Sequence, residues 1–170
     1  LPSSKEHPLC IGFGKNITGD VISCDFNKFP HMLLAGTTGS GKSVFIHSMI
    51  MTLISRNSPD LLKLVLIDPK KVEMMSYQDI LHLLCPIISD SEQAKVALTK
   101  LYDEMEKRNE MFSLSRSGRD IDSYNIWADE HNVDRLPYII VVVDEFADLV
   151  DNCKEVSRCV SRLAAKSRST

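Results

Sequence analysis

Residues 36–43 read Gly36-Thr37-Thr38-Gly39-Ser40-Gly41-Lys42-Ser43 and match the phosphate-binding pattern G-x-x-x-x-G-K-[ST]. The flanks agree with the pattern. Met32-Leu33-Leu34-Ala35 reads as an apolar strand leading in, and the sequence from Val44 to Met51 can continue as a helix leading out. A triphosphate gives up good solvation when it leaves water, so a protein must offer many donors close together. Gly36, Gly39 and Gly41 accept backbone torsions that residues with a Cβ resist, which lets successive N–H groups point inward. A helix starting near Lys42 adds its unpaired N–H groups and the positive end of its dipole. Lys42 would supply a cation to the β- and γ-phosphates, and the Ser43 hydroxyl would be a ligand for Mg²⁺.

Further along, Tyr138-Ile139-Ile140-Val141-Val142-Val143 is a continuous β-branched run. Apolar residues on both faces predict a strand buried on both sides, as in the middle of a parallel sheet. It ends in Asp144-Glu145. Alone, such a pair could equally cap the next helix. Beside a phosphate loop it predicts that Asp144 holds Mg²⁺ and that Glu145 polarises the attacking water as a general base. Neighbours on a strand face opposite ways, so both acids can reach one ligand only if the strand end bends.

The 170 residues are 44% hydrophobic and 25% charged, which suits one domain with a core of its own. No apolar stretch approaches the length of a membrane span, and no secretory signal is present. Net charge is −3, which argues against a surface coated in basic residues but leaves room for a local basic patch. Cys10, Cys24, Cys85, Cys153 and Cys159 form no C-x-x-C pair, and the histidines are scattered. Helix packing is therefore the reading for Cys153 and Cys159, and a metal site of protein side chains alone is not expected. The start at Leu1 rather than Met predicts a chain excised from something longer.

Residues 1–8 read as a linker and 9–30 as a small hairpin, with Gly19-Asp20 in its turn. A helix runs from Ser43 to about Arg56, and Lys63–Asp68 is a second core strand, stopped by Asp68-Pro69-Lys70 at the end where ligands sit in open α/β sheets. Ser89-x-x-Glu92 has the spacing of a capping box and opens an amphipathic helix over 91–114. In it, Glu104, Glu106, Lys107 and Arg108 read as a solvated face. A short helix over 121–131 and another over 155–166 complete the pattern.

The match extends beyond two loops. His31 to Val44 resembles the Walker A segment of the FtsK/SpoIIIE family of DNA translocases. Leu66-Ile67-Asp68-Pro69-Lys70 with Val72-Glu73, then Glu104-Met105-Glu106-Lys107-Arg108, then Asp144-Glu145-Phe146-Ala147-Asp148-Leu149 are similar to the family in the same order. Gly14 to Gly19 and Ser123-Tyr124-Asn125 fit as well. The resemblance implies an α/β fold: a RecA-like P-loop NTPase core, a parallel sheet flanked by helices, with 31–170 the N-terminal part of a motor domain. It implies ATP and Mg²⁺ as cofactors. Gly36, Thr37, Thr38, Gly39, Ser40, Gly41, Lys42, Ser43 and Val44 would bind the nucleotide. Ser43 and Asp144 would hold the metal, and Lys42 and Glu145 would act in hydrolysis.

Lys166-Ser167-Arg168 resembles the segment whose arginine acts in trans on a neighbouring subunit's γ-phosphate. An ordinary basic residue at a helix C-terminus is the plain alternative for Arg168. The family implies double-stranded DNA as partner, a hexameric ring, and chromosome segregation at cell division or sporulation. It also implies a cytoplasmic domain of a bacterial protein anchored in the membrane by an N-terminal region. The family continues past this arginine into a sensor strand, and the sequence ends at Thr170, so the expectation is a sheet truncated before that strand. Two other functions stay open on the residues alone: a type VII secretion or conjugation ATPase, and an inactive nucleotide-binding fragment.

Overall fold

The computed structural model describes residues 1, 7–29, 31–37 and 39–166. Gly14, with a φ of 122°, sits where the first hairpin changes register. Strand β1 (Cys10–Lys15) pairs antiparallel with β2 (Val21–Asp25), and the irregularity lies between Gly12 and Gly14. Gly19, at a φ of 90°, turns the chain between them, as the sequence predicts. Helix α1 (Lys42–Arg56) packs on β1. Its buried Met49, Ile50 and Leu53 recur at helical spacing, and Leu9, Cys10 and Ile11 are buried at the start of the hairpin. Asn57 closes the helix: its side-chain amide donates to Leu53 O and to Pro8 O, both at 2.9 Å. These elements form one unit, Leu1–Leu62; Lys63–Thr170 forms a second.

In the second unit, β3 (Leu62–Ile67) and β4 (Tyr138–Val143) make a parallel pair. The chain also passes along the other edge of β3, through parallel bridges Leu64 to Leu83 and Ile67 to Ile88. Asp68 N donates to Ile88 O at 2.8 Å, and Asp144 N donates to Ile67 O at 2.9 Å. So β3 is the strand with neighbours on both edges, and it is buried along nearly its whole length. The apolar run of β4 predicts burial on both faces, and the strand does not have it. β4 is half-buried apart from Val142, because β3 is its one ladder partner among the described residues.

Met32–Ala35 also departs from the strand its sequence predicts. The segment has no ladder partner among the described residues and is not a strand, and Met32, Leu33 and Leu34 are exposed. An apolar run becomes a strand only where a neighbour supplies the matching N–H and C=O groups.

Helix α2 (Ser91–Ser115), α4 (Phe146–Asn152) and α5 (Lys154–Lys166) cover one face of the pair. Val65, Ile67, Ala94, Leu98, Leu149 and Val156 form that core; Cys153 is buried in it and Cys159 packs against it, as read from sequence. Helix α3 (Ile121–His131) builds a smaller cluster with α2 through Tyr124, Ala128 and Phe112. The cap of α2 is not Ser89: the Asp90 carboxylate accepts Gln93 N at 2.9 Å, one residue later than the capping-box spacing suggested. Glu92 instead pairs with Lys95.

Arg108 is not on a solvated face. It donates to Glu104 Oε1 at 2.8 Å and to Pro137 O at 2.7 Å, which ties α2 to the approach of β4. Lys107 is exposed, and Glu106 accepts from Lys166 of α5 in an exposed pair, so the solvated reading holds for these two. Among the described residues, no helix is long and apolar enough to cross a membrane.

Candidate nucleotide site

The phosphate loop lies in the first unit. Ser40 N donates to Thr37 O at 3.1 Å, which folds the loop back on itself. Gly39 and Gly41 stand at φ 77° and 90°, the left-handed region that side chains resist. Gly36 is tight for a different reason: a Cβ there would come 2.4 Å from Ser40 Oγ, so that hydroxyl would have to move. Gly41 is the N-cap of α1 and brings no capping side chain of its own, and the first turn holds no acid. The first-turn N–H groups of a helix have no partner within it, and a positive dipole end favours an anion. Lys42 and Ser43 are half-buried at the start of α1; Gly36, Gly39, Ser40, Gly41 and Val44 are exposed. Thr38 lies outside the described residues. Backbone, glycines and helix start together fit a phosphate group.

The acids lie in the second unit, at the ends of its two strands. Asp144 continues the β4 ladder, and Glu145 then turns to φ 51° and ψ 67°. The chain leaves the strand direction at this left-handed residue, immediately before α4. Burial raises the Asp144 carboxyl above its ordinary value, and repulsion from Asp68, Glu73 and Glu145 adds to this; Lys70 opposes it. A divalent cation would relieve that crowding, so the donor chemistry fits Mg²⁺. Among the described residues, no group of three or more His, Cys, Asp and Glu could hold a metal alone. Phosphate oxygens and water would have to complete the shell, as is usual for Mg²⁺.

Asp68 and Lys70, which the sequence marks as a strand stop and a family match, stand beside these acids. Asp68 is fully buried at the end of β3, where it accepts N–H groups from Lys70, Val72 and Met74 at 3.2, 3.0 and 3.0 Å. The Lys70 ammonium lies 3.1 Å from Asp148 Oδ2 and 3.7 Å from Glu145 Oε2. The signal was present: two motifs ending adjacent parallel strands carry opposite charges. Arg168 lies outside the described residues.

A glycine-built phosphate loop opening a helix, with a parallel strand pair ending in acids and covered by helices, is the fold of a RecA-like P-loop NTPase domain. Solved structures agree. The pCW3 conjugation coupling protein TcpA, determined as a monomer with ATPγS, matches with a TM-score of 0.78 and 27% identity, over 100% of this chain and 49% of that one. The cytoplasmic domain of the Thermomonospora curvata type VII secretion ATPase EccC matches in fold with the same TM-score, over 96% of this chain and 20% of that one.

The chain belongs to the FtsK/SpoIIIE family, whose model matches residues 3–170. A Helicobacter pylori DNA translocase FtsK is 47% identical over 100% of the chain. The Campylobacter jejuni protein of that name is 44% identical over 97% of it, and that of Bacillus cereus 43% over 96%. The chain spans about a fifth of the length of these relatives, 20%, 17% and 21% respectively.

Proposed function

We propose that this chain is part of an ATP-dependent motor that moves along double-stranded DNA, with residues 31–170 contributing the N-terminal part of its motor domain. The observation that carries the reading is the joint one: a phosphate loop with the required backbone, in a chain 43–47% identical along its length to proteins named DNA translocase. In this reading the loop from Gly36 to Val44 holds the phosphates of ATP and Lys42 neutralises charge on them. Ser43 and Asp144 are the residues that would hold Mg²⁺, which when bound would offset negative charge on the phosphates. Glu145 accepts a proton from a water as its oxygen attacks the γ-phosphorus; the bond to the bridging oxygen breaks, leaving ADP and inorganic phosphate. Arg168 would serve a neighbouring subunit of a hexameric ring. The membrane anchor of the intact protein is assigned to a region N-terminal to this chain.

The experiment is displacement of a bound third strand from duplex DNA by the full-length protein. ATP-dependent displacement, lost without ATP, supports the proposal. Binding to a secretion substrate with no DNA displacement would favour the second reading, a type VII secretion or conjugation ATPase like the solved structural neighbours.

A further inference from the structure

Lys70 is tied down at its backbone and reaches across to the next strand. The fully buried Asp68 carboxylate accepts three N–H groups from residues 70–74, which fixes the loop after β3 and the point from which the Lys70 side chain departs. The ammonium then meets Asp148 at 3.1 Å and Glu145 at 3.7 Å. Among the described residues, Lys70 is the one side-chain partner of the Glu145 carboxylate. Glu145 is itself left-handed, at φ 51°, and immediately precedes α4.

Stability does not explain this arrangement. Lys70 is about half exposed, at 52%, and both acids are more than a third exposed, at 38% and 39%. Ion pairs this wet contribute little to folding, and ordering a lysine costs rotamer entropy. A general base works only within hydrogen-bond reach of its water, and small displacements cost large factors in rate.

We propose that Lys70 is a positioning residue for Glu145: anchored by Asp148, it holds the Glu145 carboxylate where that group acts on water, and it sets turnover rather than nucleotide affinity. The proposal rests on the ATPase reading of Glu145. It makes Asp148 a part of the same device, because without the closer contact the ammonium has no fixed place. The two strand ends, Asp68-Pro69-Lys70 and Asp144 to Asp148, then work as one unit in which buried Asp68 sets the loop, the loop sets Lys70, and Lys70 sets Glu145.

The test is steady-state ATP turnover by the full-length protein with duplex DNA present. Lys70→Met is expected to lower kcat by about tenfold while KM for ATP stays within about twofold. The melting temperature should not move. Lys70→Arg should keep most of the activity, and Asp148→Asn should lower kcat in the same direction by less. The decisive arm is a double-mutant cycle: in a Glu145→Gln background, Lys70→Met should cause no further loss, because the group it positions is already gone. An unchanged or raised kcat for Lys70→Met, a change confined to KM, or an equal loss in both backgrounds would overturn the proposal. Failure of the ATPase reading looks different: the unaltered protein would show no turnover, or Glu145→Gln would leave turnover intact, and the proposal would fall with it.

Discussion

Replacing Gly41 by alanine isolates the backbone term of the phosphate loop. A Cβ at this position meets nothing within 4 Å among the described residues, so the substitution adds no collision with them. What it adds is strain, because Gly41 stands at φ 90° and ψ 12°. A residue with a Cβ in the left-handed region costs about 1–2 kcal/mol. That cost has two places to appear. If the loop keeps its shape, unfolding becomes easier by about 1–2 kcal/mol. If the loop relaxes, stability is spared and nucleotide binding must restore the shape, which weakens Kd by roughly 5–30-fold. Denaturant unfolding and titration with a fluorescent ATP analogue, done on the same protein, give the two parts, and their sum is the prediction.

Gly12→Ala is the control: its φ is ordinary and its Cβ would find Leu1 Cδ2 at 3.7 Å, a normal contact. Gly36→Ala tests the other mechanism, since its clash at 2.4 Å is with Ser40 Oγ and should shrink when Ser40→Gly is added. If Gly41→Ala changed neither stability nor affinity, the loop would not depend on that torsion, and the reasoning would be refuted.

Three further outcomes follow from the same geometry. Asp144→Asn should raise thermal stability at neutral pH. The folded state holds the Asp144 proton more tightly than the ordinary value of 3.8, so stability is lost as pH rises from that value through the folded pKa; the advantage of Asn should vanish in acid. Asp90→Ala should cost about 0.5–2 kcal/mol in chemical denaturation, and Ser89→Ala close to nothing, because the Asp90 carboxylate caps α2. Arg108→Met should cost about 1–3 kcal/mol by the same measurement, since it strips Pro137 O of a donor in a partly buried site.

Much of the fold was legible because local chemistry and tertiary packing agree. The hairpin around Gly19, the run of α1 from Lys42 to Arg56, and β3 and α3 all carry period and punctuation that match the structure. Where sequence reading failed, a neighbour decided the outcome. Met32–Ala35 is apolar enough for a strand, yet a strand needs a ladder partner, and none of the described residues supplies one. The apolar run of β4 suggested a central strand, but centrality depends on which edges are paired. Arg108 sits in a charged stretch of a helix, and only the position of Pro137 shows that it is engaged.

In the candidate site, the glycines and acids could be named because each type has a chemical reason to stand in its motif. Lys70 could not be assigned a role in the same way. Its partners Glu145 and Asp148 lie far along the chain, and the parallel pairing of β3 and β4 is what brings their ends side by side.

The central claim is that the loop at Gly36–Val44 binds ATP for hydrolysis linked to DNA. The measurement that tests it most directly is ATP turnover by the full-length protein with and without duplex DNA, alongside Lys42→Ala. The account predicts turnover that rises several-fold with DNA and is abolished by the substitution. Turnover that ignores DNA and survives Lys42→Ala would contradict it.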